Sequence, residues 1–535
     1  MGASRTGFSF RRCRNEWALI AGLVLFTLLH GLVGLDHNPY FSVDEGWLLQ
    51  VPRNLLASGL YGTITLAGPV PFASELTTGP AVLLPATAAF AVFGDGVMPA
   101  RLVSVAYSGL AVAAAYGLLR LSVDRAAAAL AVFIFSLALY PYNRAALGEM
   151  GGLAWVLVGS YWWLRGTATL TRHHLIAASI AFALATLCKV SLAPVLGMAL
   201  TVTWVFDRRR GTLRTLPWLV APLATITLGN VAWLGLQVAI IGWPEFLLRF
   251  EELTSYQPQT AAWSEAQLLH NPAVLLYALP DGLLPVWAAA VLLAPWHAVK
   301  AGLRNPQYTL PLMLFAAALL FFILSIGWPR YAFWATALGV LFSGWLVQPF
   351  MHALAAIRPD TPRYRWATAV ALVAAVSVGP PSVSARDTFR LTDQTAMQAG
   401  AVLAQAMGPT ERLGSTEWEI DFLARRPAHH PPAYRLPTSP EVLDATFDWS
   451  WPEADWLVLG QLARAYGAEE RLLRSHALWQ LHTQIGEYKI YRRGGLLATG
   501  GPYWPSVARD LSRSVLSMPA APLLPQPDPP GSDSG

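Results

Sequence analysis

The chain has 535 residues, of which 54% are hydrophobic and only 13% charged, and its formal net charge at pH 7 is +5. A soluble protein carries about 25% charged residues, so this composition excludes an ordinary soluble domain. The basic residues fall in short clusters between apolar stretches, which indicates membrane topology and not nucleic-acid binding. Many of these stretches are long enough to cross a bilayer, so we predict a polytopic α-helical membrane protein.

The N-terminal segment, residues 1–16, is predicted to be cytoplasmic. It contains a cluster of arginines, and basic residues beside a first span favour the cytoplasmic side. The apolar stretch at 17–35 is long for the hydrophobic region of a signal peptide and has no clear cleavage site. We therefore interpret it as a retained span, which places the loop at 36–100 outside.

This first outer loop contains two features that bear on function and topology. Asp44 and Glu45 are adjacent and follow the first span closely, and ionised groups near hydrocarbon tend to be kept for function. A solvated loop between two spans is the alternative explanation. The apolar piece at 81–94 is short and contains Pro85. We expect it to lie at the outer interface or to dip into it without crossing.

The distribution of basic residues indicates whether the piece at 81–94 crosses the membrane, because a crossing there would move the later basic clusters outside. Without a crossing, those clusters fall in the cytoplasm, as the positive-inside rule requires. They are Arg120 and Arg125; Arg165 and Arg172; Arg208, Arg209, Arg210 and Arg214; Lys300 and Arg304; and Arg358, Arg363 and Arg365. The transmembrane domain at 17–381 then has about 11 spans, with the N-terminus inside and the C-terminus outside.

From residue 382 the composition resembles that of a soluble domain. We predict a small extracytoplasmic α/β domain at 382–500 and a disordered tail, rich in Pro, Ser and Gly, at 501–535. The predicted elements of the domain are strands at 455–460 and 488–492, and helices at 395–407 and 461–476.

This topology gathers polar side chains at the outer membrane face. They are Asp44, Glu45, Glu75, Arg144, Glu149, Lys189, His270 and Arg330. These residue types suit a reaction at a lipid-linked phosphate. Carboxylates can accept a proton from the attacking group, and cations can bind the anionic phosphate. Taken singly, each residue is equally well explained as a solvated loop charge. Arg330 stands out because it is an outside Arg in a very short turn, and its planar guanidinium suits phosphate.

The order of short motifs resembles that of the GT-C membrane glycosyltransferases. The first span is followed by DE, RNLL, GLYGT, TTGP, a short apolar piece that ends in FG, and AR-L at the next span. The narrower resemblance is to the protein-mannosyltransferase and aminoarabinose-transferase group, glycosyltransferase families 39 and 83. It is strongest over 17–200 and in the WPRY turn at 328–331. In that group the first outer loop contains interface helices, which agrees with the topology inferred from charge.

The resemblance implies an enzyme that moves a hexosyl or pentosyl group from a polyprenyl-phosphate donor to an acceptor lipid, glycan or protein. It implies that Asp44 is the general base, while Glu45 is the alternative residue that would orient the acceptor. Glu149 matches a second acidic residue of the group. Arg330 and Tyr331 match the turn that binds the carrier phosphate, and Lys189 and Arg144 are further candidates for that phosphate. The implied mechanism is a single displacement with inversion.

A divalent metal is a further implication, because some members bind one. The ligands would be Glu75 and His270, which match an acidic residue late in the first loop and a His in a later outer loop. This chain has Glu-Leu-Thr-Thr where those members have Glu-Lys-Pro, so it lacks the loop-one Lys of the pattern.

Three other functions remain open at this stage. A transporter or lipid flippase is expected to have polar residues within its spans, which here are mostly apolar apart from Asp281. A polymerase or ligase of lipid-linked oligosaccharides more often places its catalytic residues in a large late loop. A non-catalytic assembly or receptor protein would not depend on Asp44.

Only three of the 37 basic residues are Lys, which favours a GC-rich bacterial genome. The outer face is then the periplasmic face of the bacterial inner membrane.

Overall fold

The computed structural model describes a defined set of residues: 10–36, 38–65, 68–73, 78–140, 142–208, 216–260, 270–275, 283–300, 305–325, 327–357, 394–426, 428–429, 454–465, 467–469 and 479–494. Glu75, Asp281, the predicted domain boundary at 382 and the predicted tail lie outside these residues. The chain divides into two units, Met1–Arg493 and Gly494–Gly535, and every element below belongs to the first.

The first part of the described chain is helical apart from one hairpin. Its helices are α1 (Phe10–Leu32), α2 (Val43–Ser58), α3 (Pro80–Phe93), α4 (Val97–Leu119), α5 (Arg125–Ala138), α6 (Gly148–Thr169), α7 (Arg172–Cys188), α8 (Leu192–Arg208), α9 (Pro217–Ile241), α10 (Trp243–Thr260), α11 (Leu284–Lys300), α12 (Pro306–Ile323), α13 (Pro329–Leu341) and α14 (Ser343–Ile357). The antiparallel hairpin of β1 (Gly62–Thr65) and β2 (Gly68–Pro71) follows α2.

Several of these helices have the length and composition of membrane spans. In the described part of the chain, five stretches qualify: Asn15–Leu32, Val97–Leu119, Pro217–Ile241, Pro306–Ile323 and Pro329–Pro349. Shorter apolar helices occur at Pro80–Phe93, Arg125–Ala138, Arg172–Cys188 and Leu284–Lys300. The chain is thus a multi-pass membrane protein, while the predicted number and direction of the spans stay predictions.

The apolar piece at 81–94 forms the short helix α3. It begins after Gly79 with Pro80 in its first turn and ends at Gly94, whose φ is 88°. A helix of 14 residues is about 21 Å long, which is shorter than the hydrocarbon core of a bilayer, about 30 Å. Helix α5 has the same length, so whether the piece at 81–94 crosses the membrane stays a prediction.

Close helix packing forms the largest hydrophobic cluster, which includes buried residues of α4 to α8 and α11 to α14. Small residues let these helices approach, as in other membrane proteins. At Gly159 of α6, a Cβ atom would lie 2.6 Å from the ring of Phe182 on α7. This packing gives the polar side chains described below a rigid support.

The C-terminal α/β region, residues 394–493, contains a sheet with five strands among its described residues. Its elements are α15 (Thr395–Ala406), β3 (Leu413–Ser415), α16 (Trp418–Ala424), β4 (Ala428–His429), β5 (Trp456–Leu459), α17 (Gln461–Ala465), β6 (Trp479–Ile485) and β7 (Tyr488–Arg493). The strand order is β4-β3-β5-β7-β6. Strand β3 pairs in parallel with β4 and β5, whereas β7 pairs antiparallel with β5 and β6.

Three of the four predicted elements of this region are confirmed. Strands β5 and β7 and helix α15 lie where the sequence pattern placed them. The predicted helix at 461–476 is helical at Gln461–Ala465, and residues 466 and 470–476 of it lie outside the described residues. Gly467 has a φ of 65°, a left-handed conformation that interrupts a helix.

Two carboxyl groups are buried together in this region. Glu417 and Glu419 flank Trp418, and both side chains are fully buried. Glu417 accepts hydrogen bonds from the backbone N–H groups of Gly460 and Ala463 at 3.1 and 2.9 Å. Glu419 accepts one from a tyrosine hydroxyl at 2.8 Å. Burial raises the pKa of both carboxyls, and the charge of Glu417 raises the pKa of Glu419 further.

We therefore expect Glu419→Gln to stabilise the protein at alkaline pH. A raised pKa in the folded state means that the contribution of Glu419 to stability is complete below its unfolded pKa, about 4.3, and is lost as the pH rises through the folded-state pKa. The variant should match the wild-type unfolding temperature near pH 4 and exceed it near pH 8. Thermal unfolding across this range checks the prediction, and parallel profiles for the two proteins would contradict it.

Candidate active site

Helix α2 places the two adjacent acidic residues in its first turn. The Ser42 hydroxyl caps the helix by accepting a hydrogen bond from the backbone N–H of Glu45 at 3.3 Å. Carboxylates in a first turn are also favoured by the helix dipole. Successive residues of an α-helix are rotated by about 100°, so the side chains of Asp44 and Glu45 enter different environments.

Glu45 is buried and forms a bidentate ion pair with Arg101 of α4. The Nε–Oε1 and Nη2–Oε2 distances are 2.9 and 2.7 Å, and both side chains are at most 1% exposed. The backbone N–H of Ala146 donates to Glu45 Oε1 at 2.8 Å, and Arg101 donates to the carbonyl of Leu35 at 3.0 Å. Such hydrogen bonds are what buried charges require. The pair joins α2 to α4, to the segment after α1, and to the segment before α6.

Asp44, in contrast, is 51% exposed and forms an ion pair with Arg330 at the start of α13. The Arg330 guanidinium lies over the Trp328 ring, 4.2 Å from its centroid, and 5.4 Å from the centroid of Tyr331. Its Nε is buried and has no hydrogen-bond partner among the described residues. The aromatic rings therefore hold a guanidinium that still has an unused donor.

Glu149, in the first turn of α6, is a second buried carboxylate at this place. Its Oε1 lies 3.2 Å from Nζ of Lys189, and both side chains are at most 5% exposed. The indole of Trp334, one turn beyond Arg330 on α13, donates to the Glu149 carbonyl at 3.1 Å. Glu149 is also close enough to Arg330 to interact with it electrostatically. The structure thus brings Asp44, Glu149, Lys189 and Arg330 into one cluster, called here the charged cluster.

Thr78 and Gly79 of the TTGP motif pack against the turn that carries Lys189. Thr78 forms a β-bridge with Lys189, and the Gly79 N–H donates to the Cys188 carbonyl at 3.1 Å. At Gly148, a Cβ atom would lie only 2.6 Å from that carbonyl oxygen and 3.1 Å from the Thr78 hydroxyl. Glycine is therefore required there. Sequence reasoning did not select Thr78, although the TTGP motif contains it.

The described contacts of Arg144 lie at another place. It is buried, donates to the carbonyl of His30 in α1, and lies 5.4 Å from the centroid of the Tyr140 ring. Burial lowers the pKa of Arg144. None of these contacts joins Arg144 to the charged cluster, so its role as a phosphate ligand stays a prediction.

His270 lies in a helical stretch whose described residues are 270–275, and it is exposed. Its neighbour Asn271 is buried and donates to the carbonyls of Ile323 and Ser325, both at 2.9 Å, near the end of α12. His270 is thereby anchored near the turn that leads to Arg330. The described residues contain no group of three or more His, Cys, Asp or Glu side chains that could hold a metal ion. Glu75 lies outside the described residues, so the metal site of Glu75 and His270 stays a prediction, and the proposed reaction uses no metal.

Comparison with known proteins identifies the fold. Residues 78–233 match the family model described as dolichyl-phosphate-mannose-protein mannosyltransferase. ArnT from Cupriavidus metallidurans, crystallised with undecaprenyl phosphate, is similar in structure with a TM-score of 0.61 and 17% sequence identity. That match covers 91% of this chain and 99% of ArnT. The chain has a GT-C fold.

A second GT-C structure supports this result. The archaeal oligosaccharyltransferase AglB from Archaeoglobus fulgidus, in complex with an inhibitory peptide and a dolichol-phosphate, matches with a TM-score of 0.55 and 13% identity. This match covers 91% of this chain and 75% of AglB. No curated protein matches by sequence. The resemblance to the GT-C glycosyltransferases that the motif order suggested is thereby confirmed.

The different environments of Asp44 and Glu45 predict different effects on stability. Glu45→Ala leaves the charge of Arg101 buried without its partner, which costs about 3–5 kcal/mol. Asp44→Ala removes a carboxylate that is 51% exposed, so its loss should cost less than the loss of Glu45. Thermal unfolding of the two purified variants beside the wild type measures the contrast. Equal losses would show that the buried pair does not hold α2 in place.

Proposed function

We propose that this protein is an integral-membrane glycosyltransferase that moves a sugar from a polyprenyl-phosphate donor to an acceptor hydroxyl or amine. The observation that carries the proposal is the ion pair between the accessible carboxylate Asp44 and Arg330, beside the buried Glu149 and Lys189. The GT-C fold supports it, and two similar structures hold undecaprenyl phosphate and a dolichol-phosphate. We place the reaction at the periplasmic face of a bacterial inner membrane, with a lipid, glycan or protein as acceptor.

The proposed phosphate ligand is Arg330. Its guanidinium is 15% exposed, lies on the Trp328 ring, and has an Nε without a partner among the described residues. A planar guanidinium binds phosphate oxygens through two parallel hydrogen bonds. Lys189 is a second cation. It is buried, and its ion pair with Glu149 stabilises its charge there. The polyprenyl chain would lie among the apolar helices.

The proposed base is Asp44. Its carboxylate takes the proton of the acceptor as the acceptor oxygen or nitrogen forms a bond to the anomeric carbon of the sugar. The bond from that carbon to the phosphate oxygen breaks, and polyprenyl phosphate leaves with the bonding electrons. Arg330 stabilises the negative charge that grows on the leaving group. Attack opposite the leaving group inverts the anomeric configuration.

Asp44 and the donor phosphate would compete for one guanidinium. In the structure Arg330 is paired with Asp44. A phosphate bound to Arg330 weakens that pair and releases the carboxylate to accept a proton. We assign the other two carboxylates to positioning: Glu45 fixes α2 through Arg101, and Glu149 fixes Lys189.

Asp44→Asn tests the base. We expect kcat to fall by at least about 100-fold, since a general base contributes roughly that much or more, while binding of the donor is kept. Release of polyprenyl phosphate from a panel of short-chain donors, with an acceptor extract, is the measurement. The matched control is Glu245→Gln, which also removes a partly exposed carboxylate that pairs with an Arg. A full rate in Asp44→Asn would exclude it as the base.

Changes at Arg330 test the phosphate site. Arg330→Ala should weaken donor binding by at least about tenfold, and Arg330→Lys should restore only part of it, because a lysine cannot form the bidentate contact. Arg249→Ala, which breaks an exposed ion pair on α10, is the control.

Repeating the wild-type assay with a chelator decides the metal requirement. If no donor binds and Arg330→Ala changes nothing, a transporter or flippase becomes the better explanation.

A further inference from the structure

Helix α16 of the C-terminal α/β region lies directly on α2, the helix that carries Asp44. The closest approach is at Gly46, which follows the two acidic residues and is buried. A Cβ atom at Gly46 would lie 2.3 Å from both the backbone N and the Cα of Glu419. The two backbones are therefore in contact, and a residue larger than glycine would push them apart.

Aromatic side chains extend this contact along α2. The rings of Trp47 and Trp418 lie with their centroids 4.2 Å apart. The guanidinium of Arg53 lies 3.8 Å from the centroid of Phe422, which is also 5.7 Å from the Phe41 ring. Trp418 and Phe422 are both at most 5% exposed. These large buried rings fix the distance and the rotation of α2 relative to α16.

The contact is close to the proposed base. Asp44 and Trp47 are three residues apart on one helix, so they are neighbours on the same face. A shift of Trp47 would therefore move Asp44 as well. A displacement of about 1 Å in a reacting group is enough to lower a rate by about 100-fold. A contact that sets the position of α2 therefore acts on the rate and not only on stability.

We propose that the C-terminal α/β region is a positioning element for the transfer reaction, with Trp418 and Phe422 as its positioning residues. They hold α2 against the C-terminal α/β region, while the ion pair between Glu45 and Arg101 holds it against α4. Asp44 is thereby kept at Arg330. This inference rests on the proposed function, and it assigns the region a role in the chemistry without a substrate contact of its own.

Trp418→Ala in the full-length protein is the main test. We expect kcat to fall at least about tenfold, while the donor KM changes less than about twofold, because the phosphate ligands are untouched. Trp418→Phe, which keeps an aromatic ring against Trp47, should restore most of the rate. The control is Leu457→Ala, which truncates a fully buried side chain in a different hydrophobic cluster of the same region. It should lower stability and leave kcat near the wild-type value.

Hydrogen exchange of the α2 amides gives a second readout that does not depend on activity. We expect faster exchange at 43–58 in Trp418→Ala and wild-type exchange there in Leu457→Ala. Phe422→Leu replaces Trp418→Ala in both assays if that variant does not fold.

Two results would overturn the inference while the wild type still turns over donor: an unchanged kcat in Trp418→Ala, or an equal loss in Leu457→Ala. A wild type without turnover refutes the proposed function instead. In that case, unchanged exchange of α2 in Trp418→Ala would also refute the coupling between the region and the helix.

Discussion

The buried ion pair between Glu45 and Arg101 is the interaction on which the candidate site depends. Two charges removed from water are costly unless they are paired and fully hydrogen-bonded. Here the pair is bidentate. In addition, Arg101 donates a hydrogen bond to the Leu35 carbonyl, and Glu45 accepts one from the Ala146 N–H. Four segments that are distant in sequence are thereby fixed to one another. Asp44, the exposed carboxylate next to Glu45, is therefore also held in a fixed position.

The same constraint separates the roles of two adjacent carboxylates. Helix rotation directs Glu45 into the protein and leaves Asp44 half exposed, so only Asp44 is available to a substrate from solvent or membrane interface. Its partner Arg330 stands at the start of α13, whose Trp334 also bonds to the backbone of Glu149. Helix packing therefore sets the spacing of the backbone segments that carry the charged cluster.

Local patterns predicted a substantial part of this structure. Alternation and composition located β5, β7 and α15. The inference from charge that the 81–94 piece does not cross the membrane stays a prediction. The interruption at Gly467 was missed, because a single glycine in an otherwise helical pattern does not show its φ angle. Sequence reasoning also placed Asp44 and Arg330 at one membrane face. It did not pair them, because partners 286 residues apart are brought together only by tertiary packing.

The sequence did not show which charged side chains are buried. Glu45 was predicted to orient the acceptor, with a solvated loop charge as the alternative, and only the structure shows that it is buried in a pair with Arg101. Arg144 looked like a phosphate ligand, yet its described contacts are with α1 and Tyr140. The contact of Trp418 with Trp47 joins two parts of the chain that sequence reasoning treated as separate domains. In each case the missing information was a long-range contact.

The most direct test of the central claim is a cryo-electron-microscopy structure of the protein in a lipid nanodisc with a polyprenyl phosphate bound. We predict that the phosphate oxygens lie about 2.7–2.9 Å from the guanidinium of Arg330 and that Asp44 no longer pairs with it. A phosphate bound away from Arg330, with the Asp44–Arg330 pair unchanged, would contradict the account.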